Sequence, residues 1–203
     1  MAGKRDNLIW IFADESCRGN QFRDTANPGG AAGMVELFYP RRGWRRKDYY
    51  HFDPDTTNNR MALMSAIIGL RVMKRPCDVV FTSDSQYLIR GMTEWIHPWA
   101  ARGWKRKSGP IENLDLWREA AGAAASHRVE WNWVRGHDDH PKNEYSNMLA
   151  TRTADERKSS DGLVESQFSV WIEEQIDKGH FTDFLDVPPE APFKPSRPPP
   201  EVD

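Results

Sequence analysis

Two short apolar runs each give way within two residues to an aspartate. Leu8-Ile9-Trp10-Ile11-Phe12 leads into Asp14, and Cys77-Asp78-Val79-Val80-Phe81-Thr82 leads into Asp84. Apolar runs of this length mark strands buried within a sheet. A carboxylate at the exit of such a strand stands at the sheet's edge, and two of them there supply hard oxygen ligands to one place. Taken singly, each is more simply a solvated strand-end acid. The weight lies in the order of the segments around them.

The remaining pattern supports an α/β domain with a mixed sheet. Ala31–Tyr39 and Tyr49–Phe52 read as a second and a third strand, with turn chemistry at Gly19-Asn20 and Asn27-Pro28-Gly29-Gly30. Thr57 or Asn58 is suited to cap a helix carrying Met61, Leu63, Met64, Ile67, Ile68 and Val72 at helical spacing. Helical patterns follow over Gln86–Trp99 and Leu114–Ala125. Val129–Val134 alternates as a fifth strand, and Asn143–Lys158 is a further helix. Past Ser159-Ser160-Asp161-Gly162, Leu163–Lys178 carries one apolar helical stripe. Residues 188–203 hold 7 of the chain's 14 prolines and are expected to be an extended, mobile tail.

Composition excludes several classes. No apolar run approaches the roughly 20 residues of a membrane span. Two distant cysteines make no disulfide framework and suit a reducing cytosol, so a cytoplasmic location is expected. A net charge of −2 argues against wholesale coating of nucleic acid. It hides two basic segments that each contain a tryptophan, Arg41–Lys47 and Arg102–Lys107. The second is the better candidate for nucleic-acid contact, and the first is expected to be a solvated hairpin edge. His137 and His140 match no common zinc spacing with Cys17 or Cys77.

Taken together, Phe12-Ala13-Asp14-Glu15-Ser16-Cys17, Thr57-Asn58-Asn59-Arg60-Met61-Ala62-Leu63-Met64, Phe81-Thr82-Ser83-Asp84-Ser85-Gln86 and Trp133-Val134-Arg135-Gly136-His137 resemble ribonuclease H type 1, in that family's order, from about Leu8 to Lys158. The resemblance implies a ribonuclease H-like five-stranded mixed sheet flanked by helices over residues 1–158. A linker and amphipathic helix would follow over 159–187, then the tail. It also implies cleavage of the RNA strand of RNA/DNA hybrids by a monomer, with two Mg²⁺ (or Mn²⁺) ions held by four acidic residues. Asp14 would bridge both ions and Asp84 would hold the one that activates water. The other two positions read Ala62, where the family has a glutamate, and Asn147, where it has an aspartate. An amide can still coordinate through its carbonyl oxygen; an alanine offers no ligand atom.

Three readings of Ala62 stay open. It is an introduced substitution, or a natural one offset by Glu15, Asp138 or Asp139, or the mark of a hybrid- or duplex-RNA-binding module without catalysis. The expectation from Ala62 alone is impaired cleavage with binding retained. His137 would assist proton transfer or product release. Cys17, Asn20, Asn58, Asn59 and Gln86 would contact sugars and minor-groove edges, and Thr57 a DNA phosphate. Trp104 and Lys105 of the basic handle would contact the duplex backbone. Trp95 and Trp99, four apart on one helical face, are expected to pack. The C-terminal helix is expected to pack on the domain, with docking of a protein partner by helix or tail as the alternative.

Overall fold

The computed structural model describes residues 8–18, 26–136 and 140–202. Among them the chain forms one mixed sheet of six strands in the order β5-β4-β1-β2-β3-β6. The strands are β1 (Leu8–Cys17), β2 (Gly29–Tyr39), β3 (Gly43–Asp53), β4 (Asp78–Ser83), β5 (Arg128–Trp133) and β6 (Val164–Glu165). β1, β2 and β3 form an antiparallel meander, while β4 lies parallel to both β1 and β5. The helices are α1 (Asn58–Arg71), α2 (Gln86–Arg90), α3 (Ile96–Ala100), α4 (Leu114–Ala125), α5 (Pro141–Glu156) and α6 (Phe168–Asp177). A π-helical turn over Gly91–Trp95 joins α2 to α3. No helix among the described residues is long and apolar enough to cross a membrane.

Alternation along β1 builds the two layers. Ile11 and Ala13 face a core that includes Ala62, Leu63 and Ala66 of α1 and Trp117 of α4. Leu8, Trp10 and Phe12 face the opposite core with Tyr145, Leu149 and Ala150 of α5 and Phe168 of α6. Successive side chains of a strand point to opposite faces, so neighbouring residues of β1 serve different layers. α5 lies close to the sheet because Gly30 has no side chain: a Cβ there would sit 2.2 Å from the Ala150 carbonyl oxygen.

Four expectations change in detail. β1 runs on to Cys17 because β2 pairs with it as far as Cys17↔Gly29, so Asp14 lies inside a strand. β3 begins at Gly43 and takes in most of the basic segment. Arg46 is consequently no solvated edge residue: its side chain is 8% exposed and paired with Glu36. The sheet has a sixth strand where a helix was expected to begin. Val164 and Glu165 pair with Asp48 and Lys47, and α6 starts only at Phe168. The proline-rich stretch carries no helix or strand, yet it is held along the β5 edge. Ser196 N–H donates to the Val129 carbonyl (2.8 Å), and Trp131 N–H donates to Ser196 Oγ (3.2 Å). Prolines lack the donors for a full ladder, and an edge strand needs cover.

Candidate metal centre

The last paired residues of β1 and β4 are Phe12 and Thr82. Asp14 and Asp84 each lie two residues beyond that pair, so the parallel register itself aims both at one point. Asp14 is buried, accepting from Glu15 N–H (2.7 Å) and from Asn143 Nδ2 (3.2 Å) of α5. Trp133 at the end of β5 donates its indole N–H to the Asp84 carbonyl oxygen (3.0 Å). Gly136 passes so close that a Cβ there would lie 2.4 Å from Asp84 Oδ2. Any side chain at 136 would displace the carboxylate.

Glu15 completes the group. Carboxylate oxygens of Asp14, Glu15 and Asp84 lie within 4.8 Å of one another. Ala62, fully buried in α1, belongs to the core that Ala13 faces. Glu15, two residues beyond Ala13 on β1, shares that face by alternation, whereas Asp14 faces α5. A carboxylate thus stands on the adjoining strand, on the same side of the sheet as Ala62.

A cavity of about 230 Å³ opens over the group, lined by Asp14, Glu15, Asn58, Asp84, Ser85, Asn143, Glu144 and Asn147. Its electrostatics are those of a cation site. Burial, then the Asp84 charge, pushes Asp14 up to about 8. Burial and the charges of Asp14 and Asp84 hold Glu15 well above the usual carboxylate range. Glu15 Oε2 and Asn143 Oδ1 are enclosed without hydrogen-bond partners among the described residues. Hard oxygen donors, excess negative charge and unpaired acceptors fit a hard divalent cation of the Mg²⁺ or Mn²⁺ kind. The Cys17 thiol instead points to the Asn27 and Thr56 carbonyls, and His140 caps α5, its ring accepting from Asn143 N–H.

The chain matches the RNase H family model over residues 6–155. It belongs to the ribonuclease H family. Ribonuclease H of Alcanivorax borkumensis is 43% identical over 157 residues, which cover 77% of this chain and 97% of that protein. Ribonuclease H of Syntrophotalea carbinolica is 44% identical over 145 residues, 71% of this chain and 89% of that one. The crystal structure of LC9-RNase H1, described as a type 1 RNase H with the type 2 active-site motif, is 45% identical. It superposes with a TM-score of 0.86 over 97% of this chain and 95% of its own. The ribonuclease H sheet and its flanking helices, expected from sequence, are therefore confirmed, with six strands instead of five.

Other expected site residues fall into three groups. Asn58 and Asn147 line the acidic cavity, with Thr57, Asn59 and Gln86 exposed at the starts of α1 and α2. Thr57 caps α1, its hydroxyl accepting from Arg60 N–H (3.3 Å). Trp104 is only 8% exposed and belongs to the α1-side core, with Arg118 over its ring; it is no surface for a base or sugar. Lys105 is exposed. Trp95 and Trp99 pack around Trp117 and also line a groove of about 510 Å³ with Arg102, Arg106 and Lys107. Asn20, His137, Asp138 and Asp139 lie outside the described residues.

Sequence reasoning passed over Asn143, Glu144 and Ser85. Only the α5 pattern held a clue: a polar residue one turn before Asn147 lies on the same helical face.

Proposed function

We propose that this ribonuclease H cleaves RNA endonucleolytically in RNA/DNA hybrids, with Asp14, Glu15, Asp84 and Asn147 as its metal-binding residues. One observation carries the reading: the three carboxylates converge, and Glu15 occupies the face of the sheet that Ala62 leaves without an acid. Glu15 thus favours natural compensation among the readings of Ala62, and it makes position 62 dispensable for catalysis. A relative described as a type 1 RNase H with the type 2 active-site motif supports the same view, that this fold accommodates a changed active-site set.

Bound divalent ions would activate a water and stabilise the departing oxygen, leaving 5′-phosphate and 3′-hydroxyl ends. The chain's own residues set up that chemistry. Asn143 holds one Asp14 oxygen in place, leaving the carboxylate oriented toward the cavity. Gly136 and Trp133 fix the path of the segment around Asp84. His137 is the proposed proton carrier. Asn58 lines the cavity, and Asn59 and Gln86 follow lining residues in sequence. Their amides are proposed to donate to and accept from ribose hydroxyls, with Cys17, whose thiol reaches the Thr56 carbonyl, proposed for a sugar contact. Thr57 and Lys105, both exposed, are proposed for backbone contacts.

The deciding experiment is cleavage of a labelled RNA/DNA hybrid by the unaltered chain, Glu15→Gln and Ala62→Glu, in Mg²⁺ and in Mn²⁺, with hybrid binding measured alongside. Cleavage by the unaltered chain that is lost in Glu15→Gln is the expected result. Tight binding without cleavage in all three would make the chain a binding module.

A further inference from the structure

A second set of charges lies on the α5 face of the sheet, and part of it comes from beyond the family match. Glu36 of β2 is fully buried between two cations. Its Oε2 accepts from Arg46 Nε (2.8 Å) of β3, and its Oε1 accepts from Lys142 Nζ of α5. Arg46 turns its remaining nitrogens to Asp186 in the C-terminal extension: Nη1 donates to Oδ2 (3.0 Å) and Nη2 to Oδ1. Trp44 adds an indole N–H to the Asp186 carbonyl oxygen (3.1 Å). Aromatic faces close the set, with Lys142 Nζ 4.5 Å from the Trp44 ring centre and the Arg46 guanidinium 4.8 Å from that of Phe168.

The signs balance only when the extension is counted. Glu36 and Asp186 offset Arg46 and Lys142; without Asp186, one carboxylate faces two buried cations. Lys142 also stands in the first turn of α5, where a helix disfavours positive charge, so its place depends on Glu36. The next residue is Asn143, which holds Asp14. The chain of direct contacts therefore runs from Asp186 through Arg46, Glu36 and Lys142 to the first turn of α5.

We infer that Asp186 is a positioning residue for the metal centre: by completing this buried ion cluster, the C-terminal extension fixes the first turn of α5 and, through Asn143, the Asp14 carboxylate. The inference rests on the reading of Asp14 as a metal ligand. It gives the extension a part in catalysis without bringing it to the substrate. LC9-RNase H1 superposes over 97% of this chain, so its similarity takes in the extension that lies beyond residues 6–155.

The test uses the full chain and four variants, Asp186→Ala, Asp186→Glu, Arg46→Lys and Asp14→Asn, each confirmed folded at the working temperature. Calorimetric titration with Mn²⁺, in the absence of nucleic acid, reads the site directly; steady-state cleavage then separates kcat from KM. Asp186→Ala is expected to weaken Mn²⁺ binding about three- to tenfold and lower kcat by a similar factor, with KM for hybrid nearly unchanged. Asp186→Glu should recover most of both. Arg46→Lys keeps the charge but loses the two-pronged grip on Asp186, and should behave like Asp186→Ala. It serves as the test if Asp186→Ala does not fold. Unchanged Mn²⁺ affinity and kcat in the folded variant would overturn the inference and leave the cluster a purely structural device. Asp14→Asn separates the two readings: if it leaves Mn²⁺ binding intact, the metal-site assignment itself fails.

Discussion

The two charge clusters of this ribonuclease H share one sheet and follow opposite rules. Around Glu36, buried charges alternate in sign, and Glu36 and Arg46 have their polar atoms answered by hydrogen bonds. Around Asp14, three carboxylates crowd together, and two enclosed oxygens, on Glu15 and Asn143, find no partner among the described residues. The first arrangement is complete in itself. The second is electrostatically unsatisfied, and the protein holds it together by geometry: parallel register, the Asn143 hydrogen bond and the closeness of Gly136. A folded chain tolerates such crowding where cations are to be gathered. On the proposed reading, the crowded cluster gathers ligands and the balanced one supplies rigidity.

The largest effect should come from removing the charge that Glu15 brings. Glu15→Gln is expected to lower the cleavage rate about 10²–10³-fold, a loss of roughly 3–4 kcal/mol of transition-state stabilisation. Adding Ala62→Glu to that variant should recover part of the rate, because both positions face the same side. Ala62→Glu alone should give no gain and should lower the thermal midpoint, since it buries another acid beside three. Single-turnover cleavage with melting curves checks all three variants. A rate in Glu15→Gln equal to that of the unaltered chain would remove Glu15 from the site.

Breaking the balanced cluster should instead cost stability. Glu36→Gln leaves two buried cations with only the partly exposed Asp186, and losses of this kind run about 3–5 kcal/mol. Denaturant unfolding measures it. Were the loss below about 1 kcal/mol, the cluster could not supply the rigidity assigned to it.

The crowded cluster should respond to pH and metal together. Asp14 is pushed up to about 8 from an ordinary value of 3.8. A raised acid favours the folded state while protonated: the benefit is full below the unfolded value and is gone once pH rises through the folded one. The metal-free protein should therefore lose stability toward pH 8 relative to Asp14→Asn. Cations displace the same proton, so millimolar Mg²⁺ should raise the thermal midpoint by several degrees more at about pH 9 than at about pH 6. Calorimetry with and without Mg²⁺ decides it, and equal gains at both pH values would count against cation binding at Asp14.

Much of this was legible in the sequence. Apolar runs ending near Asp14 and Asp84 gave the strands, and helical spacing gave α4 at Leu114–Ala125 to the residue. Capping chemistry narrowed the start of α1 to Thr57 or Asn58, and Thr57 is the cap. Long-range partnership was not legible. Arg46 reads as one more cation in a basic stretch, and only its pairing opposite Glu36 across β2 and β3 shows that it is buried. Trp104 sits among lysines and arginines in sequence, yet its side chain turns into the core. Glu15 could be noted as an unusual acid beside Asp14, but its role depends on which helix covers which face of β1. Local pattern fixes elements, whereas the proposed compensation for Ala62 rests on their packing.

The smallest expected effect sharpens the comparison from the other side. Arg18 at the end of β1 pairs bidentately with Asp155 near the C-terminal end of α5, at 2.9 and 2.8 Å. It tethers the same helix to the same strand as the Asn143–Asp14 contact, but both side chains are about half exposed. Water already solvates these charges well, so closing the pair contributes at most about 1 kcal/mol. Arg18→Ala should therefore shift the thermal midpoint by no more than a few degrees and leave Mn²⁺ affinity and kcat within about twofold. A loss of metal affinity as large as that expected for Asp186→Ala would mean that any tether on α5 tunes the site. The buried cluster would then hold no special position.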